Sequence, residues 1–160
     1  MDDIAIGSPT DRDWHWIIKQ HAETAWASLS SEMQQAVSIQ EVGASLTEQI
    51  ATLRAEHGAT NQLFIAQSLD GTQVGYIWVE QVTSAFTGRL QAYILGIFVA
   101  DGWRGRGIGA LLMTQAEAWA RQNRLERIGL SVAMHNRPAS ALYEQLGYKV
   151  ETLRMFKKLE

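Results

Sequence analysis

Cysteine is absent from the 160-residue sequence. Its absence excludes disulfide frameworks, cysteinyl zinc sites, iron–sulfur clusters and thiol nucleophiles, and it suits a reducing compartment. We therefore expect the protein in the cytoplasm. The histidines also lack the spacing of zinc ligands, so no metal site is expected. They are His15, His21, His57 and His135.

An excess of positive charge and a long apolar run are also missing. The sequence has 14 Lys and Arg against 17 Asp and Glu, a formal net charge of −3. No face or tail carries the positive charge that binding to a phosphate backbone requires. No apolar stretch approaches the roughly 18 residues of a membrane span, and residues 1–9 hold two aspartates where a signal peptide has Lys or Arg. We expect no nucleic-acid partner, no membrane insertion and no secretion.

Proline is scarce, with two residues, and no low-complexity tract or internal repeat interrupts the chain. With 46% apolar residues, a chain of this length can bury a substantial core. The sequence predicts a single domain over residues 1–160.

Helical patterns dominate the first 60 residues, after a short predicted strand over 4–6. A capping-box pattern, Thr10-x-x-Asp13, predicts a helix that begins just after it. Residues 30–37 predict a short helical piece. A second pattern, Ser45-x-x-Glu48, predicts a helix that opens there and ends near Gly58.

β-Rich runs take over from residue 61, and an Asp70-Gly71 turn joins the first two predicted strands. A later strand–helix–strand run predicts a parallel pair. The predicted elements are strands over 63–67, 74–82 and 90–99, a helix over 108–120, a strand over 127–132, a helix over 138–146, and closing strands over 148–150 and 153–159. The fold class is therefore α/β, with a mixed, mostly antiparallel central sheet and flanking helices.

A glycine-rich turn separates the strand over 90–99 from the helix that follows. It reads Arg104-Gly105-Arg106-Gly107-Ile108-Gly109. Glycines allow positive φ and close approach, so successive N–H groups at the start of a helix can converge on an anion. Arg104 and Arg106 add positive charge, although either can also be a solvated loop residue. The turn predicts a phosphate or pyrophosphate site.

The same turn satisfies the dinucleotide fingerprint, as Gly105-x-Gly107-x-x-Ala110. That class of site expects an acidic residue about 20 residues on and a second mononucleotide-binding half. The strand over 127–132 ends instead in Ala133-Met134-His135, and 51 residues follow Gly109. A triphosphate loop of the form G-x-x-x-x-G-K-[ST] is absent. NAD is therefore a weaker alternative ligand.

Several motifs together resemble the GCN5-related N-acetyltransferases. The hallmark of that family, [QR]-x-x-G-x-[GA] after a buried strand, is complete in the segment from Arg104 to Gly109. Asn136, Tyr143 and the Gly147-Tyr148 turn follow at the family's spacing. The resemblance covers residues 90–160, whereas the first half of the chain matches only in its order of elements.

The resemblance implies a site for acyl-CoA. In this family two parallel strands, here 90–99 and 127–132, splay apart and admit the pantetheine arm between them. Backbone groups of Ile97, Phe98 and Val99 would pair with the pantetheine amides, and one N–H would polarise the thioester carbonyl. The pyrophosphate would be held by the backbone amides of the glycine turn, which are those of Arg104, Gly105, Arg106, Gly107, Ile108 and Gly109.

Two side chains match further positions of the family. Asn136 resembles a side-chain contact to the pantetheine arm, and the alternative is a turn or helix-cap asparagine. Tyr143 matches the tyrosine that protonates the departing CoA thiolate, a role that suits a phenol. The alternative is a core tyrosine, because apolar residues share its helix face.

The base that accepts the amine proton is ambiguous in the sequence. Many relatives carry a glutamate on the strand before the turn, but here that strand holds Gln91 and Tyr93 and no acid. Glu80, on the preceding strand, is the candidate base, with a solvated surface glutamate as the alternative. His135 can titrate near neutrality, although a loop histidine is more often structural or exposed.

The resemblance implies transfer of an acetyl group from acetyl-CoA to a primary amine of a small molecule or peptide. The amine would attack the thioester directly in a ternary complex, without a covalent enzyme intermediate. The alternative function is a non-catalytic acyl-CoA-binding or sensor module, which the missing strand glutamate favours.

The acceptor pocket and the assembly are predicted only in outline. Aromatic and acidic side chains suit a cationic amine, although packing explains one of the tryptophans equally well. The candidates are Trp14, Trp16, Trp26, Glu32 and Glu41. Members of the family often dimerise, and the segment 153–159 is the candidate interface for a homodimer.

Overall fold

The structure is a computed structural model that describes residues 3–159. Its strands and helices follow the chain in this order: β1 Ile4–Gly7, α1 Trp14–Ala27, α2 Ser31–Ala36, α3 Ile39–Ala55, β2 Asn61–Ser68, β3 Gln73–Thr83, β4 Leu90–Val99, α4 Ile108–Gln122, β5 Ile128–Leu130 and α5 Arg137–Gln145. A short 3₁₀ turn, Asp101–Trp103, joins β4 to the glycine turn.

The five strands form one sheet in the order β1-β2-β3-β4-β5. Neighbours pair antiparallel except β4 and β5, which pair parallel. The Asp70 carboxylate accepts hydrogen bonds from the Ser68 hydroxyl and the Thr72 N–H, and Gly71 adopts a φ of 85°, so the β2–β3 turn forms where the sequence predicts it. The crossover through α4 makes the parallel pair. The predicted mixed α/β class is confirmed.

Both faces of the sheet are covered by helices. Side chains of β3 alternate between the faces: Ile77 and Val79 pack with α4 and α5, whereas Tyr76 and Trp78 pack with α1 and α3. A strand that is buried on both faces needs apolar residues at successive positions. This explains why most of β3 is apolar and buried.

The start of α3 differs from the prediction. The helix begins at Ile39, where the Ser38 hydroxyl accepts a hydrogen bond from the Glu41 N–H and the Glu41 carboxylate accepts one from the Ser38 N–H at 2.7 Å. The predicted start at Ser45 is wrong, because Ser45 lies inside the helix and its hydroxyl donates to the Val42 carbonyl. Both serines precede a glutamate by three residues, but only Ser38 has the extended backbone of a cap.

The start of α1 also differs from a capping box. The helix begins at Trp14, and the Asp13 carboxylate turns back to accept hydrogen bonds from the N–H and hydroxyl of Thr10, both at 2.7 Å. Asp13 is buried and also accepts from Gln73 at 2.6 Å. The carboxylate therefore ties the helix start to the sheet.

The closing strands predicted over 148–150 and 153–159 are wrong. Within the described part of the chain, no strand follows α5. β5 is also shorter than the predicted 127–132, with three residues. Strand propensity alone does not make a strand without a paired neighbour, and residues 149–159 have none in the sheet. We call residues 149–159 the C-terminal arm.

Candidate functional site

An opening in the sheet lies between β4 and β5. The two strands pair from Ala92 with Ile128 to Ile94 with Leu130, and the pairing stops there. β4 nevertheless continues to Val99, paired on its other side with β3. The last five residues of β4 therefore have a free edge on the β5 side.

Backbone groups of β4 line this free edge at alternate residues. The Ala100 N–H donates to the Val74 carbonyl of β3, and antiparallel pairs alternate between bonded and non-bonded positions. The N–H and C=O groups of Ile97 and Val99 therefore face the opening, whereas those of Phe98 face β3. The Val99 carbonyl accepts a hydrogen bond from Arg104 Nε at 2.9 Å.

A β-bulge lies where the opening begins. Trp78 pairs with Gly96 and Val79 pairs with Ile94, so Leu95 is an extra residue on β4. A bulge bends the strand that carries it and increases its twist. The bulge therefore helps β4 to leave β5 after Ile94.

The glycine turn leads from this strand into α4. Gly105 and Gly107 adopt φ values of 73° and 78°, which other residues rarely adopt. Gly107 is the N-cap of α4 and provides no side-chain cap. The first N–H groups of the helix have no partner within it, so they and the helix dipole can bind an anion. The predicted order of strand, glycine turn and helix is confirmed.

The two arginines of the turn are exposed and engaged locally. Arg104 forms an ion pair with Asp101 at 2.7 Å, in addition to its bond to Val99. The guanidinium of Arg106 lies 4.9 Å from the centre of the Trp103 ring. The charge of Arg104 is therefore paired with that of Asp101, and Arg106 packs on an aromatic ring of the same connection.

Asn136 is the N-cap of α5, and its side-chain oxygen accepts a hydrogen bond from the Ala139 N–H at 3.3 Å. Asn136 therefore occupies a helix cap, which was the alternative interpretation of this residue from the sequence. The amide nitrogen is not used by the cap, so it can still donate to a ligand.

Tyr143 lies on α5 with 7% of its surface exposed. It packs in the same cluster as Ile97, Val99 and Leu130, which border the opening on the α4 and α5 face. Burial raises the pKa of Tyr143 above its usual value near 10, so the phenol stays protonated at neutral pH. The residue is both a core tyrosine and a neighbour of the opening.

Glu80 lies on the other face of the sheet. It pairs in register with Tyr93, where β4 and β5 are still paired. The side chain lines a shallow groove beside Glu48 and Glu56 of the α3 side. Partial burial raises the pKa of Glu80 above its usual range.

His21 was not singled out from the sequence, although the structure places it beside the bulge. Its Nδ1 lies 3.1 Å from the Tyr76 hydroxyl, and a Cβ added at Gly96 would lie 2.8 Å from the same nitrogen. Burial lowers the pKa of His21 below 6.5, so the imidazole is neutral at neutral pH. The only sequence signal was an apolar helical face that contains one histidine.

The residues predicted to wall an acceptor pocket are dispersed. Trp14 packs in the core against Trp78, with ring centroids 5.7 Å apart. Trp16 packs on Phe98 at 5.8 Å. Trp26 donates a hydrogen bond to the Val37 carbonyl. Glu41 belongs to the α3 cap, and Glu32 is exposed on α2.

His135 Nε2 lies 2.9 Å from the Ala27 carbonyl, which links the loop after β5 to the end of α1.

The fold matches that of a solved structure described as an acetyl transferase. A solved structure described as a candidate acetyl transferase from Pyrococcus furiosus aligns with a TM-score of 0.80 and 26% identity, over 98% of this chain and 100% of that chain. Residues 13–148 match the acetyltransferase (GNAT) family. The chain belongs to this family.

Curated relatives are identical to this chain at about a third of the positions in the segments that align. An uncharacterised N-acetyltransferase of Bacillus subtilis is 29% identical over 89 residues, which are 56% of this chain and 55% of the relative. The streptothricin acetyltransferase of Streptomyces lavendulae is 37% identical over 90 residues, 56% of this chain and 46% of the relative. The chain spans about half the length of these curated relatives.

Residues 3–159 contain neither a helix that could cross a membrane nor a cluster of side chains that could hold a metal ion. None of the helices within 3–159 is both long and apolar enough to cross a membrane. Over the same residues, no group of three or more His, Asp or Glu side chains could hold a metal ion.

Proposed function

We propose that this protein transfers an acetyl group from acetyl-CoA to a primary amine of a small molecule or peptide. The observation that carries the proposal is the opening between β4 and β5, which continues directly into the glycine turn and the N-terminus of α4. A thioester arm can enter the opening while its pyrophosphate binds at the turn. Membership in the GNAT family and the named acetyltransferase relatives support it.

Backbone groups would hold two polar parts of acetyl-CoA, which are the pantetheine amides and the pyrophosphate. The groups of Ile97 and Val99 that face the opening can pair with the pantetheine amides, once the Arg104 side chain releases the Val99 carbonyl. One of the N–H groups can stabilise the negative charge that develops on the thioester oxygen. The amides from Arg104 to Gly109 would bind the pyrophosphate, and Asn136 would donate its side-chain amide to the arm.

The chemistry would use both faces of the sheet. The neutral amine attacks the thioester carbon, the carbon–sulfur bond then breaks, and Tyr143 protonates the CoA thiolate as it leaves. Tyr143 borders the opening on the α4 and α5 face, so the amine can approach from the α1 face. A base on that second face must accept the proton of the amine.

Two residues are candidates for this base. Glu80 stays the prediction from the sequence, and its raised pKa suits a proton acceptor. His21 is the second candidate, and its place beside Gly96 favours it because the opening begins there. In that role His21 would donate its Nδ1 proton to the Tyr76 oxygen and keep Nε2 free to accept.

The first experiment is thermal unfolding with saturating acetyl-CoA, CoA or NAD. A ligand at 100 times its dissociation constant stabilises a protein by roughly 2.7 kcal/mol, which is several degrees for this size. We expect shifts with acetyl-CoA and CoA and none with NAD. A panel of amines is then assayed by thiol release, for which a protein without cysteine gives no background. A shift with NAD alone would contradict the proposal.

The second candidate function is an acyl-CoA-binding or sensor module without catalysis. The absence of an acid from β4 favours it. It predicts the same thermal shifts with the CoA compounds but no thiol release with any amine. The panel includes streptothricin, because a relative is named for it, together with a lysine-containing peptide. The cytoplasm remains the expected compartment.

A further inference from the structure

The hydroxyl groups of Tyr93 and Ser131 lie together where β4 and β5 separate. We propose that these two hydroxyls bind the amino group of the acceptor and thereby select primary over secondary amines. The inference rests on the acetyl transfer proposed above, and it adds the groups that orient the attacking nitrogen.

The two side chains come from strands that stop pairing beside them. Tyr93 pairs with Gly129, and the pairing of β4 with β5 ends one residue later, at Ile94 and Leu130. Ser131 is the first residue after β5. The two hydroxyl oxygens are 2.5 Å apart. Their hydrogen bond therefore joins the two strands at the closed end of the opening, where β4 and β5 are still paired.

Both hydroxyls belong to the α1 face of the sheet. The residues that alternate with Tyr93 and Ser131 pack instead in the cluster with α4 and α5, and they are Ala92, Ile94, Ile128 and Leu130. Successive side chains of a strand point to opposite faces. A Cβ added at Gly129 would lie 3.6 Å from the Tyr93 ring, so the ring extends over β5 at a residue that has no side chain. The hydroxyls thus face the side from which the amine approaches.

Both candidate bases lie on this face near the hydroxyl pair. Glu80 is the cross-strand neighbour of Tyr93, and directly opposite residues of paired strands share a face. His21 lies beside Gly96, just beyond the point at which β4 leaves β5. An amine bound at the hydroxyl pair would therefore lie next to the opening and in the same region as both candidate proton acceptors.

Neutral hydroxyls suit the binding of an attacking amine. A carboxylate in contact with the amine would favour its ammonium form, which has no lone pair for the attack. Each hydroxyl oxygen has two acceptor lone pairs, so the pair of hydroxyls keeps free acceptor positions after its own hydrogen bond is formed. An amine N–H can donate to one of these positions while the nitrogen lone pair faces the thioester carbon. This arrangement fits a strand β4 that holds no acid.

The number of N–H groups on the amine gives the selectivity. A primary amine has two, of which one donates to a hydroxyl oxygen and the other supplies the proton that the base removes as the carbon–nitrogen bond forms. A secondary amine has a single N–H group and cannot do both. We therefore expect a primary amine to react faster than its N-methyl derivative.

The test compares the amine that reacts fastest in the panel with its N-methyl derivative, which for the peptide contains Nε-methyllysine. In the double variant Tyr93→Phe, Ser131→Ala, the KM of the primary amine should rise roughly 10-fold, and the preference for the primary amine should decrease by a similar factor. The affinity for acetyl-CoA, measured by calorimetry, and the melting temperature should stay those of the wild type. Ser131→Thr keeps a hydroxyl and should keep both the KM and the preference.

The matched control is the double variant Tyr148→Phe, Ser8→Ala, which removes the same two groups elsewhere. Tyr148 packs in the cluster with α4 and α5, and Ser8 follows β1 at the opposite edge of the sheet. This control should keep the wild-type KM and the wild-type preference.

Three outcomes would overturn the assignment. The first is a double variant of Tyr93 and Ser131 that keeps the wild-type KM and preference. The second is a variant that loses affinity for acetyl-CoA or melting temperature with an unchanged preference, because the hydroxyls would then only join the two strands. The third is the absence of thiol release with every amine, in which case the acetyl transfer itself fails and the assignment fails with it.

Discussion

Tyr143 packs in the core and is also the proposed proton donor, and these two roles can be separated by removing its hydroxyl group. Tyr143→Phe keeps the ring in the core but removes the proton donor. We expect kcat to fall on the order of 10²-fold, with little change in melting temperature or in the affinity for acetyl-CoA. Tyr148→Phe is the control, since Tyr148 is a neighbouring half-buried tyrosine that bonds Glu117 instead. Unchanged turnover in Tyr143→Phe would remove the residue from the mechanism.

The base can be identified from the pH dependence of kcat/KM. Burial lowers the pKa of His21 and raises that of Glu80. If His21 accepts the proton, His21→Gln lowers kcat/KM on the order of 10²-fold and abolishes the decline of the wild-type rate at acidic pH. Glu80→Gln then keeps both the rate and the profile. The reverse pattern would assign the base to Glu80.

The proximity of His21 to Gly96 could not be predicted from the sequence, because it follows from how α1 crosses the sheet, which depends on contacts between residues far apart in the chain. Packing in the core was already the alternative prediction for one of the tryptophans, and Trp14 is buried as that alternative requires. Asn136 and Tyr143, in contrast, belong to a helix whose ends can be predicted from local sequence. A proline lies in the first turn of α5, and a glycine follows its last turn. Their places in the fold could therefore be predicted.

At the scale of elements, the glycine turn is a segment whose backbone conformation depends on its own residues. Gly105 has a positive φ, and a Cβ there would meet no atom within 4 Å. Gly105→Ala therefore acts through backbone conformation, which it would shift away from the left-handed region at a cost of roughly 1 to 2 kcal/mol. We expect acetyl-CoA to bind about 10-fold more weakly, as calorimetry would show.

Gly102→Ala is the matched control for that change. Gly102 lies in the same connection, has open space around it and has no positive φ. Its variant should bind acetyl-CoA as the wild type does. Equal losses in both variants would mean that the turn does not bind the cofactor through its backbone geometry.

Elements with their own periodicity were predicted well, and elements that depend on a partner were not. β4 lies at its predicted bounds of 90–99, because its run of mostly apolar residues ends shortly before the glycine turn. α3 begins earlier than predicted, since two competing cap patterns differ only in backbone conformation. The predictions of closing strands failed because a strand needs a hydrogen-bonded neighbour, and residues 149–159 pair with none of the strands of the sheet.

At the scale of the whole molecule, buried histidines give stability a pH dependence with a definite sign. Burial lowers the pKa of His21 and of His57 below 6.5 in the folded protein. The unfolded chain therefore binds more protons below that pH, so the free energy of unfolding decreases as pH falls from 7.5 to 5.5. The raised pKa of Glu80 acts in the opposite direction, because it stabilises the folded protein at acidic pH and this contribution is lost as pH rises through the carboxyl range.

Urea unfolding at a series of pH values would measure this slope. One titrating group changes the free energy of unfolding by at most about 1.4 kcal/mol per pH unit. His21→Gln should reduce the slope, because a glutamine does not bind a proton. His15→Gln is the control, since His15 is exposed on the same helix, and its slope should match the wild type. If both variants keep the wild-type slope, His21 is not the buried neutral imidazole on which its role as a base depends.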